Sequence, residues 1–162
     1  MKKCVQFFAL LVVAGVVLVG CASAPVAEQA APAVSFDVLR GTAWLLAEVR
    51  EGSSIIVIDR DRLAETGFNE AFTLRIGSEL VTGLGAPNRY FAPFSAEGQS
   101  VAIGPVAGTL MAPLVEPEGL REHEYFTLLQ NVNRWGLAGG ILALHSMRNG
   151  SDVILIFTPA VI

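Results

Sequence analysis

The sequence predicts a mostly β domain that carries one packed α-helix. Three observations point there. Short apolar or alternating runs recur from Thr42 to Phe157, each bounded by turn residues, most often glycine. One stretch carries a helical period, with Tyr125, Leu128, Leu129 and Val132 at i, i+3, i+4 and i+7. Gly139-Gly140 and Asn149-Gly150 are two-residue signals for tight hairpins, whose primed turns need left-handed backbone at both central positions.

The chain opens on an address rather than on structure. Lys2 and Lys3 precede a nearly continuous apolar run from Val5 to Val19, too short for a comfortable membrane span. Leu18-Val19-Gly20-Cys21 then resembles the bacterial lipoprotein cleavage box, which places small residues before a cysteine that receives the lipid. Residues 1–20 are thus expected to be an export signal and Cys21 the lipidated residue. Each buried methylene contributes about 0.8 kcal/mol, so two or three acyl chains hold a protein on a bilayer. Ala22 follows the cysteine, where aspartate commonly retains such proteins at the inner membrane, so the outer membrane is the expected destination in a cell that has one. Residues 21–37 are rich in alanine and proline and are read as a semi-extended tether. Residues 38–162 remain for the folded domain.

The elements of that domain follow in order. Thr42 to Val49 is a strand, with Trp44 and Leu46 on one face and Leu45, Ala47 and Val49 on the other. Ile55 to Ile58 is a β-branched run and a second strand. Asp59-Arg60-Asp61-Arg62 is read as a solvated, charged exit. Phe72-Thr73-Leu74-Arg75-Ile76 alternates, and Leu80 to Leu84 pairs back on it. Gly83 and Gly85 permit close or bent backbone, and Asn88 suits a turn in which it bonds its own neighbours. Tyr90, Ala92 and Phe94 share one strand face, Arg89 and Phe91 the other, while Pro93 predicts an edge or a bulge. Ser100 to Ile103 continues as strand, and Val106 to Met111 leads out of it. The helix is predicted from Leu120 to Asn133. Glu116, Glu118, Glu122 and Glu124 crowd its start, where the helix dipole favours negative charge, and Gly136 would stop it. Arg134 to Ala138, Ile141 to Ser146 and Asp152 to Phe157 complete the sheet.

Charge and side-chain chemistry exclude several functions. Beyond Cys21 there are nine arginines against fifteen acidic residues, an excess that repels phosphate backbones, so nucleic acid is not an expected partner. Cys4 and Cys21 are the only cysteines, leaving none for a disulfide or a zinc cluster within the domain. His123 and His145 lack ligand-spaced companions, so no metal is expected. Ser95 and Ser146 lack the glycine elbow of serine hydrolases, and Gly83-x-Gly85 lacks the rest of a nucleotide loop. The acidic helix start reads as a solvated face. No cofactor is expected. Asn88, Arg89, Tyr90 and Phe91 are the candidate contact surface, because arginine and aromatic side chains dominate binding hot spots.

Across these segments the chain resembles the META domain family (HslJ-like). The Trp44-Leu45 pair matches its opening strand. Ala86-Pro87-Asn88-Arg89-Tyr90-Phe91 matches its central turn and aromatic strand, and Thr109-Leu110-Met111-Ala112-Pro113 a later motif. Glu124-Tyr125-Phe126 with Leu128-Leu129 matches its helix, and Leu142-Ala143-Leu144 and Leu155-Ile156-Phe157 its last strands. Trp44, Pro87, Asn88, Thr109, Met111 and Pro113 are the motif positions. The resemblance implies a compact barrel-like antiparallel sheet with one helix, and a role in envelope stress or drug tolerance without a settled catalytic mechanism. Pro87 and Pro113 stand where the family pattern has cysteine, which implies that the two sites are neighbours in space. The functional expectation is a membrane-anchored envelope protein that binds a partner or ligand not identified by sequence, or helps maintain the envelope, without catalysis. The alternative is an enzyme acting on an envelope substrate.

Overall fold

A computed structural model describes residues 34–112 and 119–160 of the chain. The export signal, Cys21, most of the tether, Pro113, Glu116 and Glu118 therefore lie outside the described residues. The fold begins earlier than the sequence suggests. A short 3-10 helix, Phe36–Leu39, is capped by the Ser35 side chain, and it buries Phe36 and Leu39. Phe36, assigned to the tether by composition, packs edge-on against Trp135 at 5.1 Å and against Phe94 at 5.3 Å.

Ten strands and two α-helices follow: β1 Ala43–Glu51, β2 Ser54–Val57, α1 Arg60–Glu65, β3 Thr73–Ile76, β4 Leu80–Leu84, β5 Arg89–Glu97, β6 Ser100–Ile103, β7 Ala107–Gly108, α2 Glu122–Gln130, β8 Arg134–Ala138, β9 Ile141–Arg148 and β10 Ser151–Pro159. All pairings are antiparallel. Eight strands close on themselves in the order β1, β10, β9, β8, β6, β5, β4, β3 and back to β1, while β2 extends one edge of β1 and β7 lies against β5. The long chain-ending strand β10 makes this closure by pairing with β1 from Trp44 to Glu51. The thinnest junction is between β6 and β8, where Ser100 faces Arg134 and Trp135 donates to the Gln99 carbonyl at 3.0 Å.

The expected alternation holds in most strands. Leu74 and Ile76 point inward from β3, and Tyr90 and Ala92 from β5, into one core with Val153, Leu155 and Phe157 of β10. The hairpin signals also form as expected, with positive φ at Gly139, Gly140, Asn149 and Gly150. Strand β1 breaks its alternation. A bulge between Leu46 and Glu48 turns Val49 onto the same buried face as Trp44 and Leu46, rather than the face of Leu45. Strand β5 is interior rather than an edge. The Pro93 carbonyl accepts from Gly104 N–H at 2.8 Å, so its missing donor faces the interruption at Gly104-Pro105 between β6 and β7.

The charged segment after β2 is not a solvated exit. It forms α1, capped by Asp59, and Arg60 turns back into the β1 bulge. Its guanidinium donates to the carbonyls of Leu46, Ala71 (2.5 Å) and Phe72 (3.4 Å). Burial lowers the Arg60 pKa to about 10, which still leaves it charged at neutral pH. These bonds help to hold Phe72, a non-glycine residue with φ 55°, in the left-handed region. The main helix α2 is shorter than expected. Asn131 ends it, with its backbone N–H and side-chain amide both bonded to Thr127 O, so Gly136 has no capping role and lies inside β8.

Candidate functional site

The family-motif residues meet where the β4–β5 turn touches α2. Asn88 is buried, and its side chain uses all of its hydrogen-bonding capacity. Oδ1 accepts from Thr109 Oγ1 at 2.8 Å and Met111 N–H at 2.7 Å, while Nδ2 donates to Met111 O at 3.0 Å and Glu122 Oε2 at 2.6 Å. Glu122 Oε1 also accepts the backbone N–H groups of Ala86 and Asn88, both at 2.6 Å. One carboxylate and one amide thus tie the turn, the strand exit at 109–111 and the first residue of α2 together. Gly85 makes the approach possible, because a Cβ there would stand 2.5 Å from Glu122 Oε1 and 2.8 Å from Phe126 Cζ. Two expectations are corrected here. Asn88 bonds distant segments rather than its own turn, and Glu122 is a clasp on the turn rather than a solvated helix-start charge. Pro113 is outside the described residues, but Asn88, next to Pro87, is bonded to Met111, two positions before it.

Beneath the clasp lie the chain's only two tyrosines. The hydroxyls of Tyr90 and Tyr125 are 3.1 Å apart, and both reach Thr73 O, at 2.8 and 3.1 Å. Burial pushes both phenols well above their usual pKa of 10. They are neutral and sealed in the core, with Phe72 packed on Tyr125 at 5.3 Å. Gly83 leaves room for this stack, since a Cβ there would strike Thr73 O and approach Tyr90 Cε1 at 2.8 Å.

The four-residue contact surface read from sequence therefore does not exist as one face. Asn88 and Tyr90 are buried, whereas Arg89 and Phe91 are exposed, because alternate residues of a strand point to opposite sides. Of the outward pair, Arg89 lines a groove, and Phe91 pairs with Thr82 of its lining. This groove, of about 510 Å³, runs over the outer faces of β1, β3, β4 and β5, lined by Leu45, Thr73, Arg75, Thr82, Leu84 and Arg89, and also by Asn69 and Glu70. Register places Arg75 beside Thr82, Thr82 beside Phe91, and Leu84 beside Arg89.

Among the remaining polar candidates, Ser146 is buried and donates to Leu128 O at 2.7 Å, a bond that docks α2 on β9. Ser95 and His123 are exposed. His145 Nδ1 accepts from Arg134 at 3.1 Å, and burial, then the nearby arginine, lowers its pKa. Among the described residues no three His, Cys, Asp or Glu side chains gather as a metal set. Trp44 is buried and donates to Thr42 Oγ1 at 2.7 Å. Sequence reasoning missed Arg60, Arg75 and the reach of Glu122. Arg75 was legible as an outward residue of an alternating strand, but the groove that gives it a neighbour in Arg89 spans four strands.

Comparison with known proteins agrees with this architecture. The family model of the META domain matches residues 37–160. Among solved structures, the chain is similar to a protein from Burkholderia xenovorans determined by NMR, at 20% identity and a TM-score of 0.58, covering 86% of this chain and 98% of that one. It is also similar to a DUF4847 family protein from Bacteroides vulgatus, at 12% identity and a TM-score of 0.49, covering 75% and 94%. No curated protein matches at a significant level. The motif residues of the clasp, the closed barrel and the family match over residues 37–160 lead to one assignment: the chain belongs to the META domain family.

Proposed function

We propose that this protein is a lipid-anchored envelope protein whose META domain binds a partner or ligand and performs no chemistry on it. The observation that carries this reading is the division of labour among the polar groups. Glu122, the acid best placed to act on a ligand near the motif residues, is consumed by three bonds to the turn and to Asn88. The two phenols are closed inside the core. What faces outward is a groove with unpaired arginines and apolar walls, a surface built for contact.

Anchoring rests on the cleavage box at Cys21 and is tested by labelling cells with a tagged fatty acid. Cys21→Ala is expected to abolish incorporation, and continued labelling of the variant rejects the anchor. Contact at the groove is tested by placing a photoreactive amino acid at Phe91, beside the groove residue Thr82, in cells, with the same group at Ile141, an exposed position away from the groove, as reference. A discrete adduct from position 91 alone is the expected result. Equal yields from both positions reject the groove as the binding face, and turnover of the captured compound, supplied free to the unmodified protein, rejects the non-catalytic reading.

A further inference from the structure

We infer that the groove over β3, β4 and β5 takes a ligand with an oxyanion, a phosphate or carboxylate, joined to an apolar body. The inference rests on the reading of this groove as the binding face, and it specifies the chemistry that the face selects.

The argument begins with where the arginines go. Beyond Cys21 the chain has nine arginines and no lysine, within a domain dominated by acids. Arg40, Arg50 and Arg148 form ion pairs with Asp37, Glu48 and Glu51. Arg60 is spent on backbone carbonyls, and Arg134 on His145. Arg62 and Arg121 also have partners. Arg75 and Arg89 are the two left without a hydrogen-bond or ion-pair partner among the described residues, and both line the same groove. In a domain with acids to spare, two unpaired guanidinium groups on one concavity are poised for a negative charge brought from outside.

Register gives the geometry. Arg75 leaves β3 beside Thr82, and Arg89 leaves β5 beside Leu84, so the two flank β4 on its outer side. Two strand spacings across and two residues along the sheet put their backbones about 12 Å apart, which two arginine side chains can bridge from either side onto one group. The guanidinium fork matches the paired oxygens of phosphate and carboxylate. Between and beside them, Leu45 and Leu84 supply an apolar floor, only partly buried, and Thr82 a hydroxyl. Glu70, which also lines the groove, is exposed and sets a limit on the site. Its carboxylate repels a second anionic group and so favours a ligand with one charged group and an apolar continuation.

The test uses the full-length protein in nanodiscs of neutral lipid, titrated with hexyl phosphate, hexanoate, inorganic phosphate and hexyl glucoside, with empty nanodiscs as blank. Hexyl phosphate or hexanoate is expected to bind and to shift the amide resonances of Thr82, Leu84 and Arg89. Inorganic phosphate is expected to bind at the same residues about tenfold more weakly, and hexyl glucoside not to bind there. Whichever of phosphate and carboxylate binds tighter names the oxyanion. Arg75→Gln and Arg89→Gln should each weaken binding about tenfold with unchanged melting temperature, while Arg50→Gln, outside the groove, should not. Equal binding of hexyl glucoside, or variants that bind as well as the parent, overturns the oxyanion assignment. Equal binding of inorganic phosphate overturns the apolar body. Failure of every probe to bind, alongside a discrete adduct from position 91, overturns the ligand chemistry but leaves the binding face standing. Failure of both removes the face itself.

Discussion

Asn88 shows how much organisation a single side chain can carry. Its amide has two donors and two acceptor sites, and all four are filled by groups from two other segments, the strand exit at 109–111 and the start of α2. Removing one partner returns the exposed groups at Thr109 and Met111 to water but leaves buried ones unpaired, at a cost of about 1–3 kcal/mol. Asn88→Ala and Glu122→Ala are each expected to lower stability by about 1–3 kcal/mol in a urea titration. The double variant should lose less than the sum, because both remove the same bond. Strict additivity would mean that the clasp is not one unit. The tyrosines give a second prediction at this scale. The unfolded chain releases both phenolic protons near pH 10, whereas burial holds them in the folded chain. The folded state then binds more protons, so stability falls as pH rises past 10. Absorbance at 295 nm should show no tyrosinate until the fold opens, and then both together. Tyrosinate appearing before the loss of tertiary circular dichroism would place a phenol at the surface.

At the scale of elements, α2 and the β1 bulge decide most of the packing. Tyr125, Leu128 and Leu129 form the buried stripe of α2, and Ser146 fixes the helix to β9 through Leu128 O. Leu128 is essentially inaccessible, so Leu128→Ala should cost about 2–5 kcal/mol. A loss below about 0.5 kcal/mol in denaturant would mean that the stripe faces solvent. Arg60 donates to the Leu46 carbonyl at the β1 bulge and to those of Ala71 and Phe72 just before β3, and so ties the two segments together. Arg60→Met keeps the length of the side chain but not its donors, and is expected to destabilise by about 1–3 kcal/mol. Arg62→Met, from the exposed side of the same helix, should cost less. Equal losses for the two would assign the effect of Arg60 to helix propensity rather than to the bulge.

For the whole molecule, closure is the governing fact. Strand β10 is bonded along its length to both β1 and β9, whereas β6 meets β8 through a single paired position. Amide exchange should therefore be slowest in β1, β9 and β10, and should open first along β6 and β8. The reverse order would show that the barrel is held from its thin side. The motif order, the alternating strands and both hairpin turns were legible in the sequence, because each is encoded by residues close to one another. The clasp was only half legible. Asn88 and Glu122 were both visible as special residues, but they are separated by three strands and an intervening connection, so nothing local joined them. The Arg60 contacts were not legible at all, since a run of alternating charges looks the same whether its arginine meets water or three carbonyls. The Arg75–Arg89 groove was hidden for a related reason: its two cations sit on strands that become neighbours of β4 only once the sheet has formed.

The sequence by itself determined that this is a mostly β domain with one amphipathic helix, because period two and period 3.6 are local properties of side-chain direction. It determined the family through the order of its motifs, and it set the expected export signal and lipid anchor. Tertiary structure alone decided which strands close the barrel-like sheet, that Val49 turns inward at a bulge, that Glu122 faces a turn instead of water, and that two unpaired arginines share one groove. Each of these depends on which segments meet, and long-range pairing is selected by the packing of the whole core rather than by any short stretch of the chain.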